Sequence, residues 1–167
     1  MNRARSFFLL KFAVIIAVSY VAVALKPVDR AVVTPFSKGV TAASGVLLNA
    51  MGDPVERQGT ILRSATFAVD VKNGCNGLEA ILLLVAAILA FPAPWKSKLV
   101  GIVAGVALIE GINLIRVASL YILGRDYPHL FETFHVTIWQ GVIFLLTIGM
   151  FLYWSARFGN TPDPARA

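Results

Sequence analysis

Residues 98–123 read KLVGIVAGVALIEGINLIRVASLYIL, with Lys98, Glu110 and Arg116 the only charged side chains in 26 positions. As an α-helix this stretch is about 39 Å long, enough to cross a hydrocarbon core of about 30 Å. Two further runs, about 7–25 and about 136–156, reach the same length. A fourth, about 77–92, is shorter, densely apolar and stopped by Pro92-Ala93-Pro94. The spacing predicts four transmembrane helices in a single membrane domain covering 1–167, with a loop of about 26–76 between the first two. Composition points the same way. Of 167 residues, 57% are hydrophobic and 14% charged, and the mean hydropathy is +0.75. That excludes an ordinary cytosolic domain, where about a quarter of residues are charged, and excludes disorder. One cysteine excludes an intramolecular disulfide and any multi-cysteine metal site.

The net charge of +6 sits beside the apolar runs and carries no nucleic-acid motif, so a lipid bilayer is the expected polyanionic partner. With the N-terminus inside, Arg3, Arg5, Lys11, Lys96, Lys98, Arg157 and Arg166 fall at inner helix ends. Lys26, Arg30, Lys38, Arg57, Arg63, Lys72 and Arg125 fall outside, spread over longer segments that also hold most of the acids. Density in short segments orients a membrane protein, which favours both termini inside. The first run has a second reading as a cleaved signal with Ala22-Val23-Ala24 at its end; Lys11 and the length of the run favour a retained helix.

Within the loop, Thr34-Pro35 is a helix-start signal, and Phe36, Val40, Leu47, Leu48 and Met51 share one face up to Gly52. This predicts a small interfacial helix on the outer face, with Ser37, Lys38, Thr41 and Asn49 elsewhere on it. Thr60 to Leu62 and Phe67 to Lys72 predict a short β-hairpin, since Phe67, Val69 and Val71 alternate with Ala68, Asp70 and Lys72. Thr161 to Ala167 reads as a polar tail. The expected fold is therefore an all-α polytopic membrane protein with this helix and hairpin between the first two spans.

Three reactive side chains fall in one layer of that topology. Cys75 lies in Asn73-Gly74-Cys75-Asn76-Gly77, just before the second span. A helix N-terminus favours a thiolate, although a lone cysteine is equally read as a small buried apolar residue. Arg116 belongs near the outer end of the third span; snorkelling to headgroups is the plain alternative. Glu110, Asn113, Arg116 and Ser119 recur every three residues, and such a band belongs in the bundle rather than against lipid. Glu110 reads as a structural, charge-neutralising partner. His135 opens the fourth span, among Tyr127, Phe131, Phe134 and Trp139, where an interfacial histidine is the competing reading. Together, a thiol, a base and a cation make an acyl-transfer set. A metal site from His129, Glu132, His135 and Cys75 is disfavoured, because steps of three wander around a helix; no metal and no cofactor are expected. Gly101 and Gly105 form a GxxxG packing signal, and Glu79 complements the helix dipole.

Asn73 to Ala80, Asn113-Leu-Ile-Arg-Val117 and the His135 helix with Trp139-Gln140-Gly141 resemble the motifs of exosortases and archaeosortases, most like the short exosortase H branch. The resemblance covers about 60–156. It implies a bacterial inner-membrane cysteine protease or transpeptidase whose active site faces the periplasm. The catalytic residues it implies are Cys75, Arg116 and His135, with Asn76, Glu79, Asn113 and Trp139 in supporting or substrate-positioning roles. The implied partners are exported proteins whose C-terminal signal has a short motif, a transmembrane helix and a basic cluster. For this branch the motif resembles Ile-Pro-Thr-Leu followed by Trp-Gly. A thioester acyl-enzyme would pass to an acceptor nucleophile or to water. The chain is smaller than many exosortases. A non-catalytic scaffold or small transporter is the rival reading, in which Arg116 and Glu110 are a buried pair and Cys75 is incidental; a transporter, however, should carry polar groups near the midplane of several helices.

Overall fold

The computed structural model describes residues 3–158. Arg166 and the tail at Thr161 to Ala167 lie outside the described residues. Along the chain come α1 (Arg3–Ala24), α2 (Lys26–Ala50), β1 (Glu56–Gln58), β2 (Ile61–Arg63), β3 (Ala68–Asp70), α3 (Leu78–Ala90), α4 (Trp95–Asp126) and α5 (Pro128–Phe158). The chain is an all-α polytopic membrane protein carrying one small sheet. Four helices, α1 from Ser6, α2, α4 and α5, are long and apolar enough to cross a membrane.

By length and hydropathy α2 joins this set and α3 falls short of it; the contact of Cys75, before α3, with His135, early in α5, nevertheless needs α3 and α4 to run as a crossing pair with α2 kept on the Cys75 side. The helix expected to start at Thr34 and lie on the surface is the second part of α2, which begins at Lys26 and has the length and hydropathy of a span. Pro35 sits inside it. A proline there lacks the N–H of the helical ladder, and a wide π-helical turn over Asp29–Val33 stands directly upstream before α geometry resumes at Thr34. The buried face also differs. Ser37, Val40, Thr41, Ser44, Gly45 and Leu48 are buried, whereas Met51 is exposed. Ser37 and Thr41, placed away from the packed face by the sequence, lie on it. They are tolerated because Thr41 Oγ1 donates to the Ser37 carbonyl at 2.7 Å and Ser37 Oγ accepts from Asn76. Conversely α3, expected to span, has 13 residues. It is bounded by Gly77 and by Phe91-Pro92, and reaches about 20 Å.

The expected hairpin is a three-stranded antiparallel meander in the order β1-β2-β3. β1 escaped the sequence reading because Glu56, Arg57 and Gln58 are all exposed and carry no alternation. Gly59, at φ +65°, allows the two-residue turn between β1 and β2.

Two apolar clusters hold these parts together. One joins Val40 and Leu48 of α2, Leu62 of β2, Val71, and Val117, Ala118 and Tyr121 of α4. It fixes the sheet against the upper part of α4. The other joins α3, α4 and α5 through Ile81, Leu84, Ile88, Ile109, Ile143 and Trp154. The GxxxG signal is used here. A Cβ on Gly101 would strike the Trp154 indole, and one on Gly105 would strike Leu84. Trp154 Nε1 donates to the Ser97 carbonyl at 3.0 Å, so the buried indole is satisfied.

Candidate active site

The turn 73–77 is built by its glycines and asparagine. Gly74 and Gly77 have φ of +89° and +79°, a region that side chains with a Cβ rarely adopt. Between them the Cys75 N–H donates to the Lys72 carbonyl at 2.9 Å. Asn76 is fully buried. Its Oδ1 accepts the Leu78 N–H at 3.1 Å, satisfying one donor at the start of α3, and its Nδ2 donates to Ser37 Oγ at 2.9 Å. The turn is thereby tied to both α3 and α2.

Cys75 Sγ lies 2.6 Å from His135 Nε2. His135 does not open its helix, as the sequence suggested. Pro128, preorganised for a first helical turn, starts α5 seven residues earlier, and His135 sits in a π-helical turn over Thr133–Ile138. The Phe131 ring lies 5.5 Å from the imidazole, centroid to centroid, at 31°.

Arg116 comes to the other flank of the turn. It is 2% exposed, and its Nη2 donates to the Gly74 carbonyl at 3.3 Å and to Gln140 Oε1 at 3.4 Å. Its Nε has no partner, and no carboxylate among the described residues forms an ion pair with it. A buried cation held by neutral oxygens leaves positive potential beside the thiol. Burial pushes the Cys75 thiol above the ordinary cysteine range; the Arg116 charge pulls it down, and Glu79 and Asp70 push it up. The thiolate expected from the helix end is therefore opposed by desolvation, which prevails.

The supporting residues separate. Asn76 shapes the turn around Cys75. Glu79, in the first turn of α3, lines a cavity of about 20 Å³ with Gly74, Gly77, Arg116 and Gln140, room for about one water. Asn113 is buried with Glu110 behind Gly77, where a Cβ would stand 2.5 Å from Glu110 Oε1 and 3.1 Å from Asn113 Nδ2. Trp139 is not brought to Cys75. It lines a different apolar groove with Ser119, Leu123, Phe134 and Ile138, because the helix turns it away from His135. Gln140 takes its place at the site. Among the described residues no three His, Cys, Asp or Glu side chains converge as a metal site would require.

A groove of about 410 Å³ leads to the pair. Cys75 and His135 line it together with Phe67 to Val71, Val117, Leu120 and Phe131. Arg116 lies outside it, behind the turn.

The family model of transmembrane exosortases matches residues 3–154. The chain belongs to the transmembrane exosortase family. Exosortases are membrane transpeptidases or sorting proteases that act on exported proteins bearing C-terminal sorting signals. No curated protein and no solved structure matches the chain. The exosortase match takes in α1 to α4 and α5 as far as Trp154, and so includes the turn 73–77, Arg116 and His135.

Proposed function

We propose that this exosortase is a cysteine transpeptidase or protease whose reacting groups are Cys75, His135 and Arg116. The observation that carries this reading is the 2.6 Å contact between Cys75 Sγ and His135 Nε2 in the lining of a groove, with an uncompensated guanidinium beside the thiol. His135 Nε2 takes the proton from Sγ as sulfur attacks the scissile carbonyl carbon, and the C=O electron pair moves onto oxygen. The intermediate collapses, the C–N bond breaks, and the leaving nitrogen receives the proton from Nε2. A thioester on Cys75 remains. An acceptor nucleophile, or water, then attacks that carbonyl, His135 takes its proton, and the thiol is restored. Arg116 braces the Gly74 carbonyl and stabilises negative charge, first on sulfur and then on the carbonyl oxygen.

A resting thiol suits general-base activation by His135 better than a standing ion pair, since burial raises the thiol. The substrate would be an exported protein whose motif precedes a transmembrane helix and a basic cluster, processed at the periplasmic face of the inner membrane with both enzyme termini cytoplasmic. Co-expression with a tagged candidate substrate tests the reading. Wild type yields the shortened product and Cys75→Ala leaves the precursor intact; processing by Cys75→Ala would overturn it. An alkaline phosphatase fused to the C-terminus is expected to be inactive, and an active fusion would reverse the orientation.

A further inference from the structure

Antiparallel pairing decides which main-chain groups of β3 are used. Leu62 faces Val69, and the flanking bonds run from Ser64 N–H to the Phe67 carbonyl and from Val71 N–H to the Thr60 carbonyl, each 2.8 Å. Bonding alternates along such a ladder, so Phe67, Val69 and Val71 turn their amides toward β2, and Ala68 and Asp70 turn theirs away. β3 is the outer strand of the sheet, so among the described residues no strand lies beyond it. The Asp70 carbonyl accepts from Lys72 N–H at 3.1 Å; the Ala68 N–H and carbonyl and the Asp70 N–H face outward.

That edge borders the groove. All five residues from Phe67 to Val71 line it, as do Cys75 and His135. The rest of its lining is largely apolar and includes Val117, Leu120 and Phe131. Five residues of strand offer about 16 Å of edge, enough for the stretch of peptide that precedes a scissile bond.

We infer that the substrate binds as an added strand on β3: the uncharged peptide segment immediately before the scissile carbonyl pairs with Ala68 and Asp70, and alternate side chains enter the apolar groove. The inference rests on Cys75 being the nucleophile. Three observations favour this occupant. The edge presents a main-chain donor and acceptor, which read an extended peptide irrespective of its sequence. The groove is continuous with the thiol, so a paired strand is aimed at it. And a peptide drawn toward a membrane interface must find partners for its own N–H and C=O groups, which a sheet edge supplies.

The test uses the full-length protein in nanodiscs and a synthetic peptide spanning the cleaved motif of a processed substrate. Each backbone amide upstream of the scissile bond is exchanged in turn for an ester, which removes one N–H donor without adding bulk. Strand addition predicts a single sensitive position: the exchange that removes the N–H donated to the Ala68 carbonyl lowers kcat/KM about tenfold, the worth of one hydrogen bond, and the exchanges on either side have much smaller effects. Ala68→Pro removes an outward N–H while leaving the β2 pairing intact, and is expected to cost a similar factor with Cys75 alkylation unchanged. A flat ester scan with a Cys75→Ala enzyme that is inactive overturns the added strand and leaves the nucleophile standing. Cleavage by Cys75→Ala overturns the nucleophile, and the inference falls with it. Should Ala68→Pro disturb alkylation, the ester scan on the wild-type enzyme decides alone.

Discussion

Arg116 donates from Nη2 to the carbonyl oxygen of Gly74, the residue before the thiol, at 3.3 Å. One guanidinium on α4 therefore both braces the turn that carries Cys75 and charges its surroundings. The second contact, to Gln140 on α5, spreads the same group across two helices. A lysine keeps the charge, but its shorter, compact ammonium does not reproduce the rigid planar guanidinium that places Nη2 between the two oxygens. Arg116→Lys is expected to lower processing on the order of 10²-fold with normal membrane insertion, measured as product per unit of inserted enzyme. Full activity would reduce the role of Arg116 to charge alone.

The pH dependence of the thiol gives a separate readout. Burial raises Cys75 and Arg116 lowers it. Alkylation follows the thiolate, so its rate in the wild type should climb with pH and reach its midpoint above the ordinary cysteine range. Removing the cation takes away the lowering influence. Arg116→Gln must then shift the profile further upward and slow alkylation at neutral pH. A profile that stays in place, or moves down, would show that the guanidinium does not act on the sulfur.

Cys75 and His135 should behave as one unit. Each alanine substitution is expected to abolish processing, and the double mutant should be no worse than either single, because members of a catalytic unit are grossly non-additive. His135→Ala should also slow alkylation of Cys75 by a membrane-impermeant reagent. Processing that survives His135→Ala would return the histidine to an interfacial role.

The two glycines of the turn make different demands. Both have positive φ, but a Cβ on Gly74 meets nothing within 4 Å, whereas one on Gly77 meets Glu110 and Asn113. Gly74→Ala should carry only the conformational cost, about 1–2 kcal/mol. Gly77→Ala adds a collision with buried polar groups and should lose activity far more. Equal losses in a processing assay would mean that the packing behind Gly77 does not set the turn.

Helix packing offers a check independent of chemistry. Gly105 lies against Leu84 with no room for a Cβ. Gly105→Val should destabilise the bundle by about 1–3 kcal/mol, seen as earlier thermal unfolding in detergent. An unchanged unfolding temperature would show that α3 and α4 can separate without penalty.

Much of this was legible from residue types. The apolar runs announced a helical membrane protein, and the alternation of Phe67, Val69 and Val71 announced β3. A thiol, a cation and an imidazole at the same ends of separate helices pointed to one layer. What escaped was set by backbone irregularity and by context. α2 reaches back to Lys26 through a π turn that no periodicity of 3.6 reveals. Similarly, the π turn at Thr133–Ile138 follows His135 with one residue more per turn, so that Gln140, five positions on, comes to the site and Trp139 does not. A strict α-helical wheel separates His135 from Gln140. Ser37 and Thr41 look like surface residues until Asn76 gives one of them a buried partner.

The shortness of α3 bears on the supply of water. Its 13 residues reach about 20 Å, roughly 10 Å less than a hydrocarbon core. With its Phe91 end and Lys96 held at one headgroup layer, the other end, where Cys75 stands, comes short of the opposite layer unless the bilayer thins around it. The thioester would then form in a groove lined by the apolar side chains Phe67, Leu120 and Phe131. In such a place hydroxide and water are scarce, and an acyl group survives longer. Shallow solvent access of this kind favours handing the acyl group to a delivered acceptor over losing it to hydrolysis.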